Sequence, residues 1–178
     1  MTILIAFDVA TTLGWAKGGP DDDKPSSGFV KFGNAESSPN AVFGAALAWL
    51  SDFLKQDPRP TTVLLERMLP PQAKLGVTNA AARDRLAGLH GIIRSVAHLR
   101  GIYDIGDASV LDVRQHFCLD RHAGKQGVFD KCKALGWPVK DLNESDACAL
   151  WHYGISIMRP VRGLEVTPMY GKRRMALS

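Results

Sequence analysis

Two short apolar runs, each closed by a single acid, constrain this chain more than any other feature. The first is Ile3-Leu4-Ile5-Ala6-Phe7-Asp8 and the second is Val63-Leu64-Leu65-Glu66. Runs this short and this rich in Ile, Leu, Val and Phe predict buried strands, not helices or membrane spans. A carboxylate closing such a run is costly to bury unless it is paired or binds a cation. In an open α/β sheet, adjacent parallel strands bring Asp8 and Glu66 to the same edge, where ligands bind.

The rest of the chain reads as the frame for those strands. Gly14-Trp15-Ala16 starts a second strand, 18–27 is a hairpin tip rich in Gly, Asp, Pro and Ser, and 28–32 alternates as a third strand. Val42, Phe43, Ala46, Leu47, Leu50, Phe53 and Leu54 recur at helical spacing over 40–54, before Pro58 and Pro60. The fourth strand is 61–66, and Pro70-Pro71 breaks the chain after it. A second helix over 80–100 buries Leu86, Leu89, Ile93, Val96 and Ala97. Its small residues, including Gly88 and Gly91, allow close approach to another backbone. A short fifth strand over 102–105 and helices over 109–117, 125–135 and 143–158 complete the order, which implies an α/β mixed sheet flanked by helices.

Composition narrows the function classes. The chain has 178 residues, 46% hydrophobic and 22% charged, which suits one globular domain. No apolar run reaches the roughly 18 residues of a membrane helix, and no basic n-region with a cleavage site opens the chain. Cys118, Cys132 and Cys148 form no CxxC pair, which points to reduced thiols in a cytoplasmic protein and away from zinc. The net charge of +4 is concentrated in 159–178, where Arg159, Arg162, Lys172, Arg173 and Arg174 face Glu165 alone. That basic tail is read as a phosphate-binding arm or as a solvated end.

A third acidic group is Asp141-Leu142-Asn143-Glu144-Ser145-Asp146. Asn143 and Asp146, three apart, share one helix face. Carboxylates that converge repel one another and are stable together around a hard cation. All-oxygen ligands fit Mg²⁺ or Mn²⁺, and such a site hydrolyses phosphodiesters. Each residue also has a plainer reading. Asp8 and Glu66 can be solvated strand ends, Asp141 with Glu144 fits a capping box, and Asn143 is a good N-cap.

With those residues in view, the chain resembles the RuvC family of Holliday-junction resolvases, in the RNase H-like superfamily, and particularly its phage and prophage branch. Ile5-Ala6-Phe7-Asp8-Val9-Ala10-Thr11-Thr12-Leu13-Gly14-Trp15-Ala16 is similar to the family's IDPGTTTGWA opening. Val63-Leu64-Leu65-Glu66, Leu89-His90-Gly91, Lys125-Gln126-Gly127-Val128 and Asn143-Glu144-Ser145-Asp146-Ala147-Cys148-Ala149-Leu150 follow in the family's order. Val9-Ala10 replaces the family's Pro-Gly.

The resemblance implies an RNase H-like mixed five-stranded sheet flanked by helices over 1–158, followed by the basic tail at 159–178. It implies that Asp8, Glu66 and Asp146 are catalytic, metal-binding carboxylates for Mg²⁺ or Mn²⁺. Asn143 stands at a fourth ligand position where many resolvases have Asp or His, with Asp141 or Glu144 as compensating candidates. Lys125 falls where the family has a basic residue near the scissile phosphate, against the alternative of an exposed helix lysine. It further implies a homodimer that cuts branched DNA (a four-way junction). The helix over 80–100 is then a candidate interface, and Arg83, Arg85, Arg173 and Arg174 are candidate DNA contacts; packing and helix-surface charge are the alternatives for the first two. Two other functions compete: an RNase H-like nuclease for flaps, hybrids or duplex, and a junction-binding protein whose site has decayed at Asn143. A sugar-kinase-like ATPase needs a second lobe and phosphate loops that a chain of this length does not hold.

Overall fold

The computed structural model describes residues 2–34, 36–68 and 80–158, and in it the first apolar run is β1 (Leu4–Asp8), buried along its length. A hairpin follows, β2 (Thr12–Gly18) and β3 (Ser26–Lys31), then α1 (Pro39–Phe53) and β4 (Thr62–Glu66). After these come α2 (Ala80–Leu99), β5 (Asp104–Ala108), α3 (Val110–Cys118), α4 (Lys125–Ala134) and α5 (Leu142–Met158). The sheet order is β3-β2-β1-β4-β5. The hairpin strands pair antiparallel with β1 and with each other, whereas β1–β4 and β4–β5 are parallel.

The alternation of β1 builds two cores. Ile5 and Phe7 pack with Leu13, Val63 and Leu65 under α1 and α2, through Val42, Ala46, Leu50, Leu89 and Ile93. Leu4 and Ala6 lie on the opposite face with Val113, Phe117, Val128, Cys132 and the α5 residues Ala147, Cys148, Leu150, Trp151 and Ile155. A strand covered on both faces must be apolar throughout, which is why β1 shows no polar alternation. Period two then sends Asp8 to the same face as Leu4 and Ala6, toward α5.

Four expectations need correction. The hairpin tip is 19–25 rather than 18–27, and the third strand is Ser26–Lys31 rather than 28–32, because Ser26 and Ser27 already pair with Lys17 and Ala16. The fifth strand is Asp104–Ala108 rather than 102–105. Ile102 instead closes α2: Gly101 is left-handed (φ 78°), its N–H donates to the His98 carbonyl at 3.0 Å, and the Ile102 N–H donates to the Ala97 carbonyl at 2.9 Å. This is a Schellman turn with its apolar residue tucked into the core. On α2 the buried residues are Leu89, His90, Ile93, Val96 and Ala97, so His90 joins the buried set and Leu86 is only partly buried. Gly88 admits no neighbouring backbone; a Cβ there would collide with the Phe43 ring of α1.

Among the described residues no helix is long and apolar enough to cross a membrane, and Cys118, Cys132 and Cys148 are free thiols. The basic tail, with Arg173 and Arg174, and the Pro70-Pro71 break lie outside the described residues.

Candidate active site

Asp8 and Glu66 close neighbouring parallel strands in register, with Phe7 opposite Leu65, so their carboxylates leave the sheet at one edge and on one face. The N-terminus of α5 arrives over that edge. Opposite Asp8 in the hairpin is Gly14, and a Cβ there would collide with the Asn143 carbonyl and come within 2.8 Å of the Glu144 nitrogen. A glycine inside a strand marks such close approach. Further along α5, the buried Trp151 donates its indole N–H to the Gly18 carbonyl at 3.3 Å and pins the helix to β2.

Asp141 is the cap of α5. Its Oδ1 accepts the Asn143 N–H at 2.8 Å, and its carbonyl accepts the Ser145 N–H at 3.0 Å. Asn143 therefore does not cap the helix, and its side chain turns with Asp146 toward the sheet edge. Glu144 points elsewhere, accepting from Ser27 Oγ and from the Lys140 N–H, each at 2.8 Å. The capping box thus takes a modified form, in which the glutamate reaches the N–H one residue before the cap.

Lys125, the first residue of α4, supplies the cation of the cluster. Its Nζ lies 2.9 Å from Asn143 Oδ1, 2.9 Å from Asp146 Oδ2 and 3.3 Å from Asp8 Oδ2. Asp8 and Asp146 are buried, whereas the Lys125 side chain is half exposed. Among the described residues no salt bridge reaches Glu66, although Arg114 on α3 acts on it and on Asp146 through space. Arg114 was not anticipated from the sequence. Its Nε is buried without a hydrogen-bond partner among the described residues, and its position beside the buried Val113 was the only available signal.

The electrostatics record an excess of negative charge. Burial, then repulsion from Asp8 and Asp146, pushes the Glu66 carboxyl up to about 7, against Lys125 and Arg114. Burial raises Asp8 to about 6; Lys125 opposes that shift, and Asp146 and Asp141 add to it. Asp146 is raised as well, again chiefly by burial. Burial works against the Lys125 ammonium, but Asp8 and Asp146 together outweigh it and hold the group above its ordinary value. Three acids around one ammonium and one more distant guanidinium, with oxygen as every donor, suit a hard divalent cation. The cage is not closed: among the described residues no three His, Cys, Asp or Glu side chains stand ready around one point. The Lys125 ammonium sits between Asp8, Asn143 and Asp146 instead.

Among the described residues no salt bridge joins Arg83 or Arg85 to the three acids; the cation paired with Asp8 and Asp146 is Lys125. The Arg85 guanidinium donates to the Ser37 carbonyl at 3.2 Å and ties α2 to the turn before α1, which favours the packing alternative for that residue.

No protein-family model and no curated protein sequence matches the chain. Solved structures do. Thermus thermophilus RuvC aligns with a TM-score of 0.67 at 18% identity, over 88% of this chain and 96% of that one. T. thermophilus RuvC in complex with a Holliday junction substrate aligns with 0.67 at 15%, over 91% and 96%. Ydc2, the yeast mitochondrial Holliday junction resolvase, aligns with 0.58 at 10%, over 98% and 84%. The mixed five-stranded sheet flanked by helices is thus the RNase H-like fold of RuvC, as the sequence resemblance implied.

Proposed function

We propose that this chain is a divalent-metal-dependent endonuclease that hydrolyses phosphodiesters in branched DNA and resolves four-way junctions. One observation carries the reading. Asp8, Glu66 and Asp146 meet at one sheet edge with Asn143 and Lys125, in a fold shared with resolvases. Asp8, Glu66 and Asp146, with the Asn143 amide oxygen, are the residues that would hold Mg²⁺ or Mn²⁺. When bound, such a cation supplies water activation and charge stabilisation at a phosphodiester.

The chain's own groups do the rest. β1, β4 and α5, packed on one another, carry the acids to one edge, and their side chains would close around the cation once Lys125 leaves them. Lys125, on a flexible and half-exposed stem, swings from the acids to the phosphate and offsets the negative charge that develops there. Water attacks phosphorus, the bond to the 3′ oxygen breaks, and the products are a 3′-hydroxyl and a 5′-phosphate.

Symmetric cutting of a four-way junction needs two sites, hence a two-fold homodimer. The face of α2 that carries the exposed Ala87, Gly91 and Ser95 is the proposed contact; a Cβ at Gly91 meets nothing. The basic tail, with Arg173 and Arg174, and Arg83 are proposed to hold DNA phosphates. The free thiols fit a cytoplasmic setting, in recombination or in clearing branched phage DNA.

Purified protein incubated with a synthetic four-way junction and with linear duplex of the same arms, in Mg²⁺, Mn²⁺ or EDTA, tests the proposal. Paired nicks on the junction only, absent in EDTA and in Asp8→Asn, are expected. Equal cutting of linear duplex would replace junction specificity with a broader nuclease. Salt-sensitive junction binding without a cut in either metal would refute catalysis and leave the neutral Asn143 as its cause.

A further inference from the structure

We propose that Glu144 is a positioning residue, one half of a clamp with Ser27 that sets the direction in which α5 presents Asn143 and Asp146. The proposal rests on the metal-site reading above. Glu144 is 4% exposed and adjoins Asn143 in sequence, yet both of its carboxylate oxygens are engaged away from the site. Oε1 accepts from Ser27 Oγ on β3, and Oε2 accepts from the Lys140 backbone N–H, each at 2.8 Å. At about 100° per residue, Glu144 lies on a different face of α5 from Asn143 and Asp146. It cannot join them as a ligand without releasing both partners, so it does not compensate for the neutral Asn143.

The position of the clamp explains what it does. Ser27 pairs with Ala16 in the hairpin and shares its face, the one covered by α5. The contact therefore links the outermost strand to the first helical turn, across the helix rather than along it. Gly14 against the Asn143 carbonyl sets how closely that turn approaches the sheet, and Trp151 on the Gly18 carbonyl pins the helix about two turns further on, which leaves the first turn some freedom to twist about the axis. Two hydrogen bonds from fixed directions remove that freedom. The magnitude matters: a 20° rotation of a helix whose side chains reach about 5–6 Å from the axis carries a carboxylate by about 2 Å. Metal–oxygen distances tolerate about 0.2 Å. An apolar residue at 144 would fill the volume but fix no azimuth, and it would leave the buried end of the Lys140–Glu144 turn one acceptor short.

Mn²⁺ affinity by calorimetry and urea stability, measured on the full chain for the parent, Glu144→Ala, Glu144→Gln and Ser27→Ala, test this. Glu144→Ala is expected to weaken Mn²⁺ binding about tenfold. Glu144→Gln is expected to restore it, because the amide oxygen accepts from Lys140 and the amide N–H donates to Ser27 Oγ. Ser27→Ala is expected to fall between them. A folded Glu144→Ala that binds Mn²⁺ like the parent overturns the proposal. So does Glu144→Gln as weak as Glu144→Ala, which would make charge rather than the clamp the cause. If Glu144→Ala does not fold, parental affinity in Ser27→Ala overturns it. A parent protein that binds no Mn²⁺, like Asp8→Asn, defeats the metal-site reading itself, and the clamp with it.

Discussion

Without metal, raising the pH should destabilise this protein, and the size of the effect follows from the two strand-end acids. Asp8 is raised from 3.8 to about 6 and Glu66 from 4.5 to about 7, in both cases chiefly by burial. An acid whose folded pKa lies above its unfolded value holds a proton longer in the native state, so stability falls as pH rises from the unfolded to the folded pKa. At about 1.4 kcal/mol per unit, each acid costs about 3 kcal/mol between about pH 4 and pH 7. The two share the repulsion of Asp146, so together they cost about 3–6 kcal/mol, a large part of an ordinary domain's stability. Lys125 stays charged throughout this window and does not offset the change. Urea unfolding in EDTA from pH 4 to 8, on the parent, Asp8→Asn and Glu66→Gln, reads the effect. Each variant should flatten the profile and exceed the parent at pH 8 by about 2–3 kcal/mol. Mn²⁺ at a hundred times its Kd should return about 2.7 kcal/mol to the parent at pH 8. A metal-free parent whose stability relative to both variants does not change with pH would refute the reasoning.

Two substitutions extend the same argument. Lys125→Met removes an ammonium 2.9 Å from Asp146 and 3.3 Å from Asp8; it should tighten Mn²⁺ binding by about tenfold or more in a calorimetric titration while junction cleavage falls by about two orders of magnitude. Gly14→Ala forces a Cβ into the Asn143 carbonyl; urea unfolding should show a loss of about 1–3 kcal/mol, and Mn²⁺ binding should weaken because the α5 turn is pushed off the sheet.

Hydrophobic periodicity located most of the frame. The apolar runs at Leu4 and Val63 became adjacent central strands, and the stripe of Val42, Ala46, Leu50 and Phe53 became the inner face of α1. It failed where an apolar residue serves a turn: Ile102 looked like the start of a strand and is the apolar residue of a Schellman turn. It also missed His90, a polar ring among the buried residues of α2, acted on by Asp107 of β5 and by Arg94 one turn along its own helix.

For the site, the sequence alone determined which residues carry charge and at which ends of which strands they stand, because a strand's period of two and a short apolar run leave little choice. It also placed Asn143 and Asp146 on one helix face, since helical spacing is local. What only the tertiary structure decided is everything set by contact between elements: that α5 lands on Gly14, that Asp141 rather than Asn143 caps it, and that Glu144 turns to Ser27. The same holds for Lys125 between the acids and for Arg114 beside them. The pairs Ser27–Glu144 and Asp8–Lys125 are each 117 residues apart along the chain. No local preference encodes such a pairing; it appears only when burial of both sheet faces brings the elements together and buried polar groups must find one another.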